Sequence, residues 1–137
     1  MTPQEKDNDR TQVRPPSPTS KNVPERYSAS IVIIEGYAEG MEYPIEKAYT
    51  VIGRDKSADI TIKDELISRQ HVAFIYAEGR FFLKDLKSTN GVFMKGKRVE
   101  QARIQHRDTF RIGDTTIQFV LEDTGAGKVY EITDENG

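Results

Sequence analysis

The sequence predicts an all-β sandwich, and three observations carry that reading. Apolar residues alternate with period two through Val72–Tyr76 and again through Arg80–Leu86, the spacing of strands with one buried face. Segments of this kind recur about every ten residues, divided by Gly- and Asn-containing turns. No stretch of twelve residues places apolar side chains at helical spacing.

The elements follow in order. Ser30–Ile34 reads as a buried strand, and Tyr49–Ile52 as another, ended by Gly53. Val72–Tyr76 and Arg80–Leu86 form a hairpin around Ala77-Glu78-Gly79. Asn90-Gly91 marks a tight turn before Val92–Met94, and Lys95-Gly96-Lys97 reverses the chain. Thr109–Ile112 pairs with Thr116–Leu121 across Gly113-Asp114, while Val129–Ile132 offers an additional edge strand.

Composition narrows the function classes. A chain of 137 residues with 36% hydrophobic and 31% charged residues suits one soluble domain. The longest purely apolar run, Ile31–Ile34, is far below the roughly twenty residues of a membrane span. The first ten residues lack the cationic start and apolar middle of a secretory signal, so a cytoplasmic location is expected, with no membrane partner. There is no cysteine, hence no disulfide, thiolate nucleophile or Cys-ligated zinc. A net charge of −2 argues against nucleic acid as partner. Charge is unevenly spread: residues 122–137 carry −4 and the remainder +2.

Three segments are expected. Residues 1–27 hold five of the six prolines and little apolar surface, and read as a disordered N-terminal arm. Residues 28–122 form the folded domain. Residues 123–137 read as a flexible acidic tail.

Four short sequences, Gly53-Arg54, Ser68-Arg69-Gln70-His71, Ser88-Thr89-Asn90-Gly91 and Gly113-Asp114, lie in that order within about sixty residues. Each alone has a plain reading: a solvated arginine, a serine capping its own backbone, a hairpin turn. Together they resemble the signature of the forkhead-associated (FHA) domain family, a phosphothreonine-binding module, over about residues 30–121. The resemblance implies an FHA-type β-sandwich of about 10–11 strands whose loops converge at one apical end. It further implies that Arg54 and Ser68 bind the phosphate, with Arg69 auxiliary. Thr89 and Asn90 would hold the ligand backbone, and Gly53, His71 and Gly91 would support the loops. Loop residues Glu65, Leu66 and Ile67 are expected to set specificity. The partners implied are phosphothreonine-containing proteins and a Ser/Thr protein kinase. The alternative is a phosphate-independent scaffold that binds through a sandwich face.

Enzyme readings find little support. His106-Arg107-Asp108 spells the kinase catalytic tripeptide with none of its companion motifs, and reads as a charged turn. Gly125-Ala126-Gly127-Lys128 resembles the end of a P-loop, but Glu122 and Val129 occupy its essential Gly and Ser/Thr positions. Two histidines 35 positions apart supply no metal or triad constellation, and Asp64-Glu65 reads as a pair of solvated loop charges. No cofactor or metal is expected. The arm adds one hypothesis: Thr11, preceded by Asp7 and Asp9, and secondarily Thr19, are candidate phosphorylation sites that would furnish an intramolecular ligand.

Overall fold

The computed structural model describes residues 17–18 and 20–125, and among these there are eleven strands and no helix. In chain order they are β1 (Tyr27–Glu35), β2 (Glu42–Pro44), β3 (Tyr49–Gly53), β4 (Ile60–Thr61), β5 (Val72–Ala77) and β6 (Arg80–Asp85). The remainder are β7 (Val92–Met94), β8 (Lys97–Val99), β9 (Gln101–Ile104), β10 (Thr109–Ile112) and β11 (Thr115–Asp123). One sheet has the order β9-β6-β5-β3-β4 and the other β2-β1-β11-β10-β7-β8. All neighbours are antiparallel except β3 and β4.

The expected sandwich and strand number are therefore present. The expected alternation is present in β6, where Phe81 and Leu83 are buried, but not in β5, which is buried on both faces: Val72, Phe74 and Tyr76 join the main core, and Ala73, Ile75 and Ala77 form a second cluster with Phe82 and Leu86. Phe74 of one sheet meets Phe119 of the other edge-on at 5.0 Å between ring centroids, and Phe81 meets Phe119 at 5.0 Å. Each such buried ring contributes about 1.5–3 kcal/mol through lost water contact. Two-residue turns join β5 to β6, β7 to β8 and β10 to β11. Glu78-Gly79 and Lys95-Gly96 both have positive φ at both positions, the twist that suits adjoining antiparallel strands.

The expected start at residue 28 falls inside β1, and contacts with the sandwich begin earlier. Val23 N–H donates to the Glu46 carbonyl at 2.8 Å, Ala48 N–H to that of Lys21 at 2.9 Å, and Asn22 bridges Lys47 antiparallel. Val23 packs against the core, which supplies the apolar reason for this docking. Arg26 pairs with Asp123 at 2.7 Å, and Thr124 N–H donates to the Arg26 carbonyl. The proposed edge strand Val129–Ile132 lies outside the described residues, as do Thr11 and Thr19.

Candidate functional site

The ends of β3, β6 and β10 and the starts of β5, β7 and β11 meet at one end of the sandwich, because Ile52, Val72 and Asp85 share one register row and Val92 and Ile112 another. All four motifs therefore emerge together. Gly53 is obligatory there: a Cβ at this position would stand 1.9 Å from the Arg69 carbonyl oxygen, so only a glycine lets the 67–70 loop lie flush on the end of β3.

Hydrogen bonds then fix the apical loops to one another. Arg54 N–H donates to the Ser68 carbonyl, and its Nε–H donates to the Ile67 carbonyl, both at 2.9 Å. This pins the guanidinium by its stem side and leaves both Nη groups without a partner among the described residues. Ser68 Oγ accepts from Thr89 N–H at 3.1 Å, which leaves the hydroxyl hydrogen free to be donated. Asn90 Nδ2 donates to the Leu66 carbonyl at 2.9 Å, tying the Asn90-Gly91 turn to the loop before β5.

His71 is fully buried and joins two of these segments. Its Nδ1 accepts from Ser68 N–H at 2.9 Å, so its Nε2 carries the proton and donates to the Gly91 carbonyl at 2.8 Å. Burial pushes its pKa below the ordinary histidine value, outweighing the Gly91 carbonyl and the nearby Asp85 and Asp64, which favour protonation. The 88–91 turn, which crosses between sheets, is closed by Ser88: its Oγ accepts from Gly91 N–H and its own N–H reaches Asp85 Oδ1.

Two expectations for this end are corrected. Asp64 is buried, not a solvated charge; it accepts from Leu66 N–H at 2.8 Å, Asp114 N–H at 2.8 Å and the Thr115 hydroxyl at 2.7 Å. Burial alone would raise its pKa, but these donors outweigh it and hold the carboxyl below the usual range. The Gly113-Asp114 motif is thus tied to the site through Asp64. Ile67 is only 1% exposed and packs in the core, so its side chain reads no ligand; its carbonyl, which holds Arg54, is the part that serves the site.

Arg54, Asp55, Lys63, Glu65 and Arg69 line a cleft of about 450 Å³. Lys63 escaped the sequence reading, although outward alternation after the buried Ile60 and Ile62 marks it as a surface cation. Asp55 is held below the usual carboxylate range by the Ser57 hydroxyl and N–H, with a smaller contribution from Arg69. Cations outnumber acids in the cleft by three to two, and the free Arg54 fork and Ser68 hydroxyl stand beside it. The arrangement suits a compact anion with several oxygens. Neither a metal-binding group of His, Asp and Glu nor a helix long and apolar enough to cross a membrane occurs among the described residues. His106-Arg107-Asp108 forms a structural loop, in which His106 Nδ1 accepts from Leu121 N–H and Asp108 caps Gln105 N–H.

Residues 50–113 match the FHA domain family model. The chain is 29% identical over 93 residues to the glycogen accumulation regulator GarA of Mycobacterium tuberculosis, covering 68% of this chain and 57% of that protein. It is 29% identical over 110 residues to the oxoglutarate dehydrogenase inhibitor of Corynebacterium glutamicum, covering 80% and 76% respectively. Among solved structures it resembles Mycobacterium tuberculosis EmbR in complex with a low affinity phosphopeptide, with TM-score 0.63 and 30% identity, over 68% of this chain and 24% of the other. The chain thus spans little more than half the length of the GarA relatives that it matches.

Proposed function

Because the chain carries an FHA domain, we propose that its apical cleft binds phosphothreonine in a partner protein, as an adaptor or regulator acting downstream of Ser/Thr kinases. The observation that carries this reading is the Arg54 guanidinium, pinned at Nε with both Nη groups free, beside the Ser68 hydroxyl. Arg54 and Ser68 take the phosphate oxygens, with Arg69 auxiliary. Thr89 and Asn90 hold the ligand backbone and the space for the threonine methyl. The protein is a reader with no catalysis of its own, placed in the cytoplasm.

A phosphothreonine carries about −1.5 to −2 charges, and each charge-assisted hydrogen bond contributes roughly 1.5–3 kcal/mol. Two or three such bonds, less the cost of association, give dissociation constants of about micromolar order. The test is a titration with one degenerate peptide library in phosphothreonine, phosphoserine and unphosphorylated forms. Preference for the first is expected; equal binding to all three overturns the reading.

The same cleft is proposed to take the chain's own phosphorylated Thr11, which would shut out other phospho-ligands. Residues 21–23 run antiparallel to 46–48, so the chain ahead of Lys21 sets out toward the Gly53 end of β3. Gly53 lies five strand positions beyond Ala48, about 17 Å. Thr11 is ten positions ahead of Lys21, a reach of about 33 Å, whereas Thr19 is two positions ahead, about 7 Å. Thr11 covers this distance with chain to spare, whereas the backbone at Thr19 stops about 10 Å short, which makes Thr11 the favoured site. A tether of this length gives an effective concentration of about millimolar order, so a micromolar site would be filled about 99% of the time. Phosphorylating Thr11 is expected to shift the Arg54, Ser68 and Asn90 amide resonances independently of protein concentration. Unchanged resonances, or shifts that grow with concentration, refute the intramolecular form.

A further inference from the structure

Five large apolar side chains stand exposed among the described residues, and four of them, Ile34, Tyr37, Met41 and Leu66, belong to the apical β1–β2 hairpin or to the loop bordering the cleft. Both segments lie close against the Gly113-Asp114 turn. A Cβ at Gly36 would stand 2.4 Å from the Asp114 carbonyl oxygen, and one at Gly113 would stand 3.1 Å from the Leu66 backbone. Leu66 and Gly36-Tyr37 therefore flank one two-residue turn, directly continuous with the loop whose other side holds Arg54 and Asn90.

Charge divides this end of the molecule. The cleft carries Arg54, Lys63 and Arg69. The hairpin side carries exposed Glu35, Glu39 and Glu42, with Asp114 in the connecting turn, and none of these four forms an ion pair within the described residues. Exposed apolar residues gathered beside a binding cleft mark contact surface rather than scatter.

We propose that this hairpin and Leu66 form a second contact surface for the same ligand chain, taking a segment flanking the phosphothreonine that is apolar with basic residues around it. The inference rests on the phosphothreonine reading of the cleft. A ligand with its anion at one end and cations at the other would be placed in one direction by the opposite charges of cleft and hairpin. A second copy of this protein is a poor occupant, since face-to-face pairing would set Glu35, Glu39 and Glu42 against themselves. A nucleic acid would meet the same acids.

The test starts from the tightest core peptide selected from a degenerate phosphothreonine library. The core is extended by eight residues, on its N-terminal or its C-terminal side, composed of Leu, Ile, Lys and Arg, or of Ser, Gly and Glu as control. Titrations use the wild type and the double variant Tyr37→Ser, Met41→Ser, with folding checked by amide spectra. On one of the two sides the apolar-basic extension is expected to tighten binding to the wild type at least about tenfold, and the double variant is expected to lose that gain while binding the bare core unchanged. Equal affinity for all extensions, or a gain kept by the variant, overturns the inference alone. Dimerisation of the wild type abolished in the variant would put a second copy on this surface and also overturn it. Failure to obtain any phosphothreonine core peptide would sink the parent reading and this one with it.

Discussion

Replacing Arg54 with alanine is expected to weaken phosphothreonine-peptide binding by at least about 100-fold and leave the fold intact. The side chain is exposed and gives the sandwich one hydrogen bond, Nε–H to the Ile67 carbonyl, a net contribution of about 1 kcal/mol. Its two free Nη groups would be lost to the ligand. Two charge-assisted bonds at roughly 1.5–3 kcal/mol each, with tenfold in affinity for every ~1.4 kcal/mol, set the size of the effect. Arg54→Lys separates charge from geometry. An ammonium cannot hold Ile67 and present a fork at once, so a loss of at least about tenfold is expected despite the retained charge. Calorimetric titration beside a thermal melt checks both variants. Undiminished binding by a folded Arg54→Ala protein would remove Arg54 from the phosphate site, and a partner held by a sandwich face would bind wild type and variant alike.

The sequence announced those parts of the fold that have one wet and one dry face. The alternation in Arg80–Leu86 marked β6, and the Gly113-Asp114 turn between apolar segments marked β10 and β11, because a single buried face forces period two; β5 is the exception, legible as an apolar run although both its faces are buried. The edge strands were silent. Glu42–Pro44 and Gln101–Ile104 carry Glu, Pro, Gln and Arg, as edges do, and Ile60–Thr61 is too short to show a period. At the site, Arg54, Ser68, Arg69, Thr89 and Asn90 were legible as an ordered set, and the fold does bring their loops to one end. Asp64 was not. A buried carboxylate is intelligible only once its three donors are in place, two of them fifty and more positions away. Ile67 failed for a related reason, since proximity in the chain to a binding serine does not say which way an isoleucine turns.

His71→Ala is expected to cost about 3 kcal/mol or more of folding stability. It would leave the Ser68 N–H and the Gly91 carbonyl without partners, at about 1–3 kcal/mol each, and open a cavity where a fully buried ring now packs. The native ring is neutral, because Nδ1 accepts from Ser68 and burial lowers its pKa. Between its lowered folded pKa and about pH 6.5, folded histidine therefore binds fewer protons than unfolded histidine; its contribution is full above that window and is lost as pH falls through it to the folded pKa. The slope reaches at most about 1.4 kcal/mol per pH unit for one proton. Asp64 acts in a separate window, since its lowered pKa gives stability above the ordinary carboxylate value near ~3.9 and loses it below. Chemical denaturation at intervals between pH 7.5 and 5 should show a wild-type decline that His71→Gln lacks, because an amide keeps a donor and an acceptor but does not titrate. Phosphopeptide affinity should still fall in both proteins over this range, as the ligand's own second ionisation lies near pH ~6. Parallel stability curves for wild type and His71→Gln would show that the neutral imidazole is not what joins the Ser68 loop to the Asn90-Gly91 turn.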